Sequence, residues 1–325
     1  MPSSIKSDDI KMPLALPNPL VAVVTPIFNR VGNLKRFLTA FAQVNYSNYK
    51  MVVVDDGSTD GSAEYIKANY PDIVLLHGDG SQWWAGATNI GMKWALANNY
   101  DYVLTYNDDQ VCSPDFLSTL LQNTLTYPSA ILSPQICYLH DPKLLVSGGI
   151  RIDPHTRRTF GVLNETYADS SLPPYQVDCV PGYAMLIPIA VIKRIGLFDN
   201  ARFPQIYMEL DFCLRAQKRG ICTMVIPQSV VWNDRSDKIK DPVAGQNPFK
   251  KLVWYVSCPK SYLHFGQNMN LSLLLYSCGT RLVRFYNFIL FWMTYLVKLL
   301  GLSIFSKSCA RRIKTVLALN VDKWA

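Results

Sequence analysis

Four short apolar runs alternate with amphipathic stretches in the first third of the chain. The runs are rich in valine, leucine and aromatic residues, a composition typical of buried β-strands. They are Leu20–Val24, Met51–Val54, Ile73–Leu76 and Tyr102–Tyr106. Because each run is followed by a stretch with helical signals, the pattern predicts an α/β domain with a parallel, Rossmann-like sheet and right-handed crossovers.

The helices between these strands are predicted from spacing and from turn residues. In the first, apolar residues return on one helical face, namely Leu34, Phe37, Leu38, Phe41 and Val44. A second helix should end before Pro71, a third should run from Ala85 to Asn98, and a fourth should open at Pro114. The third strand is followed by the segment Gly78–Gly86, which contains the tandem tryptophans Trp83 and Trp84.

Polar clusters follow three of the predicted strands. They are Asn29-Arg30, the segment Asp55–Ser62, and Asn107-Asp108-Asp109. The carboxyl ends of parallel strands share one edge of a sheet, so these clusters should gather where open α/β proteins bind ligands. Carboxylate and amide oxygens suit Mg²⁺ or Mn²⁺, which can hold a diphosphate. The alternative for each cluster is a solvated turn that caps the next helix.

The second half of the chain is less regular. Residues 133–178 are interrupted by Pro, Gly and Asp, and predict short strands and loops. A buried strand is expected at Val180–Ile187, entered through Gly182, and a short helix at 189–195. A further helix, Tyr207–Arg215, is closed by Gly220. Within it Glu209 and Asp211 are two residues apart and cannot share a helix face, so one can face a cleft while Arg215 ties down Asp211 at i+4.

Composition excludes several classes of protein. The chain has 325 residues, 49% of them hydrophobic, and a formal net charge of +8. It is therefore not a disordered protein, and it shows no interleaved basic and aromatic motif for nucleic acid. The eight cysteines form no Cys-x-x-Cys pair, which fits a reducing compartment. The absence of GxGxxG and Walker A loops argues against a dinucleotide dehydrogenase or a P-loop NTPase. Met1–Asn18 lacks a continuous apolar run, and a cytoplasmic location is expected.

The chain beyond residue 245 is strongly apolar and rich in basic residues. Leu271–Phe305 is interrupted by Arg281, Arg284, Asn287 and Lys298, and the basic residues that follow are Lys307, Arg311, Arg312 and Lys314. The uncharged run Phe285–Val297 is shorter than a bilayer span requires. Amphipathic helices lying on the cytoplasmic membrane face are favoured. A true span, a buried helix pair and an oligomer interface, such as a homodimer contact through this region, remain alternatives.

Taken together, the motifs resemble those of the family 2 glycosyltransferases. They occur in the family's order across roughly residues 20–235: Thr25–Arg30, Val54–Ser62, Gly86–Gly91, Asn107–Asp109 with Pro114–Phe116, Pro181–Met185, Gly196–Asp199 and Glu209–Arg215. The segment Gly78–Gly86 is also similar to a rhamnosyltransferase-like subgroup that builds polysaccharides. Galactose or glucose remains an alternative donor sugar to rhamnose.

The resemblance implies a GT-A fold, a Rossmann-like and mainly parallel central sheet flanked by helices, with a C-terminal helical, membrane-associating extension. Residues 1–19 would form an N-terminal extension and residues 20–240 the catalytic domain. Within that domain, residues 20–110 would bind the nucleotide sugar and residues 111–240 would bind the acceptor and carry out catalysis. Residues 241–325 would be the extension.

The resemblance also implies roles for single residues. The nucleotide sugar would be bound by Pro26, Asn29, Arg30, Asp56, Trp84, Asn89 and Asp108. A divalent cation, Mn²⁺ or Mg²⁺, would be held by Asp109 and Asn107, and Glu209 would be the catalytic base. Support and acceptor orientation would fall to Asp211, Gly182 and Arg215. Each position also has a plainer interpretation, since tandem tryptophans often belong to a core and acidic turns often cap helices.

The implied reaction transfers a hexose or deoxyhexose, with inversion, from a nucleotide-diphosphate sugar to a growing surface glycan or lipid-linked acceptor. Two departures from the family pattern stand out. Asn107 occupies the position of the first acid in the family's Asp-x-Asp motif. Val231–Asp234 lacks the late histidine that many relatives use as a metal ligand. These departures keep open a catalytically silent nucleotide-sugar-binding or scaffold protein of the same fold.

Overall fold

The computed structural model describes residues 18–155, 159–163, 166–234, 243, 246–276, 288–289 and 291–299. The first half of the domain alternates strands and helices as predicted. Its elements are β1 (Val21–Ile27), α1 (Val31–Phe41), β2 (Tyr49–Asp55), α2 (Ser62–Asn69), β3 (Val74–His77), α3 (Trp83–Ala97) and β4 (Tyr102–Thr105). α3 begins two residues earlier than predicted, so both tandem tryptophans lie in its first turn.

In the described residues, the second half adds mostly short strands and five helices. The strands are β5 (Gln110–Cys112), β6 (Ile131–Tyr138), β7 (Leu145–Ser147), β8 (Ile150–Ile152), β9 (Thr159–Gly161), β10 (Tyr175–Val177), β11 (Met185–Pro188) and β12 (Thr223–Asn233). The helices are α4 (Phe116–Asn123), α5 (Ile189–Ile195), α6 (Met208–Gln217), α7 (Pro248–Ser257) and α8 (Phe265–Tyr276), of which α4 follows the fourth predicted strand. The predicted strand from Val180 is wrong at its start, because residues up to Ala184 form a loop and β11 begins at Met185.

The main sheet has ten strands, with the path β10-β12-β6-β11-β4-β1-β2-β3; β5 pairs with β12 and β7 with β6. The pairs β1–β2, β2–β3 and β1–β4 are parallel, as predicted. The prediction of a mainly parallel sheet is nevertheless wrong for the second half, because β11 lies antiparallel between β4 and β6. Antiparallel strands need no crossover helix, which accounts for the irregular sequence of that half.

Both faces of the sheet are covered, which explains the continuous apolar runs. In β1, Ala22 and Val24 belong to one buried cluster, while Val21 and Val23 belong to another. Alternate residues of a strand point to opposite faces, so these two clusters lie on the two sides of the sheet. A strand buried on both sides must be apolar throughout.

The C-terminal helices contact the domain through α8. Leu271 and Leu275 join the cluster that also contains Ala22 and Val24, whereas Tyr255, Leu263 and Tyr295 form a separate small core. Among the described residues, no helix is both long and apolar enough to cross a bilayer.

Several predicted features of the chain ends fall outside the described residues. These include the boundary near residue 240, most of the N-terminal extension, and the interruptions at Arg281, Arg284 and Asn287. The basic residues from Lys307 onward also lie outside the described part of the chain.

Candidate functional site

The loops after β1 and β2 are joined by side-chain hydrogen bonds. Asn29 Oδ1 accepts from the Thr59 backbone N–H at 2.7 Å, and Ser58 Oγ accepts from the Asn29 N–H at 2.9 Å. Asp60 Oδ2 accepts from the Val31 N–H at 2.8 Å, at the start of α1. The predicted gathering of these polar clusters at one edge of the sheet is confirmed for these two loops. Asp60 belongs to the predicted segment Asp55–Ser62, but its bond to the start of α1 was not predicted from sequence.

The Asp56 carboxylate holds the loop before α3. It accepts backbone N–H groups of Gly80 at 2.9 Å, Gln82 at 3.0 Å and Trp83 at 3.1 Å. A Cβ at Gly78 would lie 2.3 Å from Asp56 Oδ1, so only glycine fits there. Burial raises the pKa of Asp56, against the lowering effect of these hydrogen bonds. Asp56 thus has a full set of structural partners, and its predicted contact with the base or ribose stays a prediction.

Trp84 links α3 to the polar cluster after β4. Its indole Nε1 donates to Asn107 Oδ1 at 2.8 Å, and its ring lies 5.6 Å from that of Phe198. A Cβ at Gly182 would lie 3.2 Å from Trp84 Cη2 and 3.5 Å from Glu209 Cβ. Trp84 and Glu209 therefore both lie close to Gly182, although they are 125 positions apart in the sequence.

Arg30 pairs with the acidic residues after β4. Its Nε donates to Asp108 Oδ2 at 2.8 Å, and its Nη2 lies 3.9 Å from Asp109 Oδ2. Burial raises the pKa of Asp108 to about 6, and Arg30 opposes this shift. The Arg30 Nη2 atom is buried with no hydrogen-bond partner among the described residues. It is a donor that a bound phosphate oxygen could satisfy, because guanidinium groups recognise phosphates well.

Glu209 occupies the first turn of α6. Glu209 as a whole is partly buried. Its Oε2 atom, however, is inaccessible to solvent and has no hydrogen-bond partner among the described residues. Burial raises the pKa of Glu209 to about 7. A carboxylate with one unpartnered oxygen and a pKa near neutrality is suited to accept a proton.

Asp211 is a structural residue. It is 1% exposed and accepts Arg202 Nη2 at 2.9 Å and Arg215 Nε at 2.7 Å. The predicted i,i+4 pair with Arg215 is confirmed. Arg215 also donates to the carbonyls of Ile195 and Leu197, which fastens α6 to the end of α5. Arg202 was missed from sequence, because nothing in its spacing connects it with Asp211.

Two predicted nucleotide-binding residues have plain structural roles in this fold. Asn89 is buried, and its amide donates to the Phe198 carbonyl at 2.9 Å and accepts from the Phe198 N–H at 3.1 Å. Pro26 lies within β1, paired in register with Val54. The contacts of Asn89 account for a buried amide at this position without a ligand.

Backbone strain is concentrated around the same residues. Six non-glycine residues of the described chain have positive φ: Asn29, Trp83, Asn99, Leu163, Ala184 and Tyr207. Four of them adjoin or lie two residues from Arg30, Trp84, Gly182 and Glu209. Positive φ is costly for residues with a Cβ and persists where surrounding contacts enforce it, often at functional sites.

Few side chains of the described residues are placed to act as ligands of a cation. No group of three or more His, Cys, Asp or Glu side chains converges within the described ranges. Asp109 Oδ1 accepts from Asn233 Nδ2 at 3.2 Å, and Asn233 Oδ1 is buried without a partner. Asn233 thus lies beside Asp109, in the segment that lacks the family's late histidine. Such a set fits Mg²⁺ or Mn²⁺ held by one or two protein oxygens together with substrate phosphates.

Comparisons with known proteins identify the family of this chain. The family model described as glycosyl transferase family 2 matches residues 22–187, about half of the chain. An uncharacterized glycosyltransferase of Haemophilus influenzae is 30% identical over 248 residues, which cover 73% of this chain and 86% of that protein. The low-salt glycan biosynthesis hexosyltransferase Agl10 of Haloferax volcanii is 26% identical over 53% of this chain and 54% of its own length.

A solved structure supports the fold alone. The crystal structure of GalNAc-T7 with UDP, GalNAc and Mn²⁺ superposes with a TM-score of 0.55 at 15% identity, covering 92% of this chain and 58% of that one. The chain spans about half the length of several curated relatives it matches, such as Agl10 and the Rickettsia typhi glycosyltransferase RT0329, of which it covers 55%. The fold is GT-A-like, and the chain belongs to glycosyl transferase family 2.

Proposed function

We propose that this protein is an inverting glycosyltransferase. It would move a hexose or deoxyhexose from a nucleotide-diphosphate sugar to a hydroxyl of a growing surface glycan or lipid-linked acceptor. In this member of family 2, one series of contacts carries the proposal. Arg30 pairs with Asp108, the adjacent Asn107 accepts from the Trp84 indole, and both Trp84 and Glu209 lie close to Gly182. At the two ends of this series lie Arg30 Nη2, which would donate to a phosphate oxygen, and Glu209 Oε2, and neither atom has a hydrogen-bond partner among the described residues. The rhamnosyltransferase-like subgroup is one candidate for the donor specificity.

Glu209 would act as the base toward the acceptor hydroxyl. As that oxygen attacks the anomeric carbon, its proton would pass to the carboxylate, and the bond to the nucleotide diphosphate would break on the opposite face. This single displacement inverts the anomeric centre. Burial raises the pKa of this carboxyl and outweighs the lowering effect of a backbone hydrogen bond, and Oε2 has no hydrogen-bond partner among the described residues. Trp84 and Gly182, the immediate neighbours of Glu209, would shape the sugar pocket.

The diphosphate end of the donor would lie near Arg30. Arg30 Nη2, which has no hydrogen-bond partner among the described residues, would donate to a phosphate oxygen, while Asp108 keeps the guanidinium in place. Asp109, with Asn107, would hold a divalent cation; Mn²⁺ in the GalNAc-T7 structure supports this proposal. When bound, the cation supplies positive charge that stabilises the departing diphosphate.

A catalytically silent nucleotide-sugar-binding or scaffold protein is the second candidate. It is favoured by Asn107, whose amide oxygen already accepts the Trp84 indole N–H, and by the three backbone donors that occupy Asp56. Asn107 and Asp56 would then stabilise the fold and would have no role in catalysis. Such a protein would bind the donor but would not catalyse transfer.

A panel of donors separates the two candidates. We expect one nucleotide-diphosphate hexose or deoxyhexose to release its nucleotide in the presence of a glycan or lipid-linked acceptor. Release should require Mn²⁺ or Mg²⁺, which would stabilise the departing diphosphate. It should stop after chelation, because a cation held by few protein ligands is easily removed. Nucleotide release and donor binding are measured in parallel. Clear binding without turnover for every donor and acceptor would support the silent protein.

We further propose that the protein is peripheral on the cytoplasmic face of the membrane. Large apolar side chains are exposed in the described helical region after residue 246. These C-terminal apolar residues are Phe249, Val253, Tyr262, Phe265, Leu273, Ile289, Met293, Leu296 and Val297. Residues 242–321 contain ten Lys or Arg and no Asp or Glu. Exposed apolar side chains accompanied only by positive charge match an anionic lipid surface.

Lipid vesicles test this location. The full-length protein should bind vesicles containing anionic phospholipid more tightly than neutral vesicles, and binding should weaken as salt is raised. Replacing Lys250 and Lys251 together by Gln should weaken anionic-vesicle binding about tenfold or more, since each basic residue near such a surface contributes about 1 kcal/mol. The matched control replaces Lys193 and Arg194, an exposed basic pair on α5.

Co-sedimentation and size-exclusion chromatography supply the readout for these variants. Equal binding to both vesicle types, or equal losses in the two double variants, would contradict the membrane proposal. A dimer whose formation requires the C-terminal apolar residues, with no vesicle binding, would assign them to a homodimer interface.

A further inference from the structure

One buried side chain of α8 contacts the loop that precedes Glu209. Gln267 is 1% exposed, and its Oε1 accepts the backbone N–H groups of Gln205 at 3.3 Å and Ile206 at 3.0 Å. Its Nε2 donates to the Pro259 carbonyl at 2.9 Å. Both ends of the amide are therefore bonded, and its orientation is determined by these contacts. A C-terminal helix thus supplies the acceptor for two backbone donors of the catalytic domain.

The loop held by Gln267 also holds the start of α3. The Gln205 side-chain Oε1 accepts the Trp84 N–H at 3.0 Å, and the Pro204 carbonyl accepts the Ala85 N–H at 2.9 Å. Trp84 in turn donates to Asn107. Gln267 is therefore two hydrogen bonds away from the Trp84 backbone.

The same loop leads directly into α6. Ile206 is followed by Tyr207 in the left-handed region, with φ of 69°, and Glu209 lies two residues further on. A residue with a Cβ stays at such a φ only while the surrounding contacts impose it. The backbone bond to Ile206 is immediately next to this strained position.

We propose that Gln267 is a positioning residue for the transfer reaction, holding residues 204–206 so that Trp84 and Glu209 keep their mutual placement. This role rests on the proposed glycosyltransferase function. Gln267 touches neither substrate in this scheme and acts through the loop. Small misplacements of reacting groups can lower rates by up to about a hundredfold, so a residue of this kind affects turnover more than donor affinity.

Replacing Gln267 by Met preserves length and approximate shape while removing all three hydrogen bonds. We expect kcat to fall about ten- to a hundredfold, with a smaller change in the donor Kd, since the loop would reach the donor only through Trp84. Hydrogen exchange should become faster in residues 82–86 as well as in residues 204–209. The effect on 82–86 is informative because Gln267 does not bond to that segment directly.

Asn268 provides a matched control on the same helix. It is 4% exposed, and its amide donates only to the Tyr262 and His264 carbonyls, within its own region. Asn268→Leu should lower the melting temperature by a similar amount to Gln267→Met, because both lose buried hydrogen bonds. It should leave kcat and exchange in 82–86 close to wild type.

The outcomes separate failure of this inference from failure of the proposed function. Equal effects of the two variants on kcat and on exchange in 82–86 would overturn the positioning role and leave Gln267 a general stability residue. A wild-type protein with no turnover for any donor would overturn the transferase proposal. In that case the exchange comparison still decides whether Gln267 holds the loop and α3 together.

Discussion

Replacing Glu209 by Gln should lower kcat by about a hundred- to ten-thousandfold, the range that general base catalysis supplies. The amide keeps the shape of the side chain but cannot take a proton from the acceptor hydroxyl. Donor Kd should change less than about twofold, because Arg30, Asp108 and Asp109, which we propose bind the diphosphate, remain unaltered. Steady-state transfer and donor binding are measured on the same preparation.

The pH profile provides an independent check on this assignment. Burial raises the pKa of Glu209 to about 7. A base works in its ionised form, so kcat/KM should rise as pH increases through about 7, and Glu209→Gln should lose that dependence. The control is Glu64→Gln, an exposed glutamate that also lies in the first turn of a helix. If Glu209→Gln retained most of its activity, another group would have to be the base.

Replacing Asp211 by Ala should destabilise the fold by about 3–5 kcal/mol, the cost of leaving a buried ion pair without one partner. The carboxylate is 1% exposed and lies between Arg202 and Arg215. Its loss leaves Arg215 with uncompensated charge beside the end of α5. Because α6 carries both Asp211 and Glu209, the orientation of Glu209 depends on the contacts of Asp211. The free energy of unfolding is measured by urea denaturation.

Asp199→Ala is the matched control for this prediction. Asp199 also pairs with Arg202, at 2.6 Å, but both side chains are substantially solvent-accessible. Solvent screens such a pair, so its loss should cost about 1 kcal/mol or less. Similar destabilisation by the two variants would show that Asp211 is not the centre of a buried network.

The parallel half of the fold was predictable because each element there has a local signature. A strand covered on both faces is a nearly continuous apolar run, as in Val21–Val24 of β1 and Met51–Val54 of β2. The i,i+4 pair of Asp211 and Arg215 was predictable for a similar reason, since helical geometry brings these positions together. The antiparallel insertion of β11 between β4 and β6 was not predicted, since strand direction depends on how distant segments pair.

The candidate site shows the same contrast between features with a local signature and contacts made over a long range. Local motifs identified Arg30, Asn107–Asp109 and Glu209 as candidates, and their chemistry could be argued from residue type. Motifs could not show that Asp56 binds the loop before α3, or that Asn233 lies beside Asp109. These contacts join residues that are between 24 and 124 positions apart.

The sequence by itself determined the alternation of strands and helices, the edge where polar groups gather, and the residue types available for catalysis. It could do so because these features depend on periodicity and on short-range geometry. Only the tertiary structure decided which candidates meet: Trp84 with Asn107, Gly182 with Glu209, and Gln267 with the loop between them. Such contacts depend on the packing of elements that are remote in the chain, and no local pattern encodes that packing.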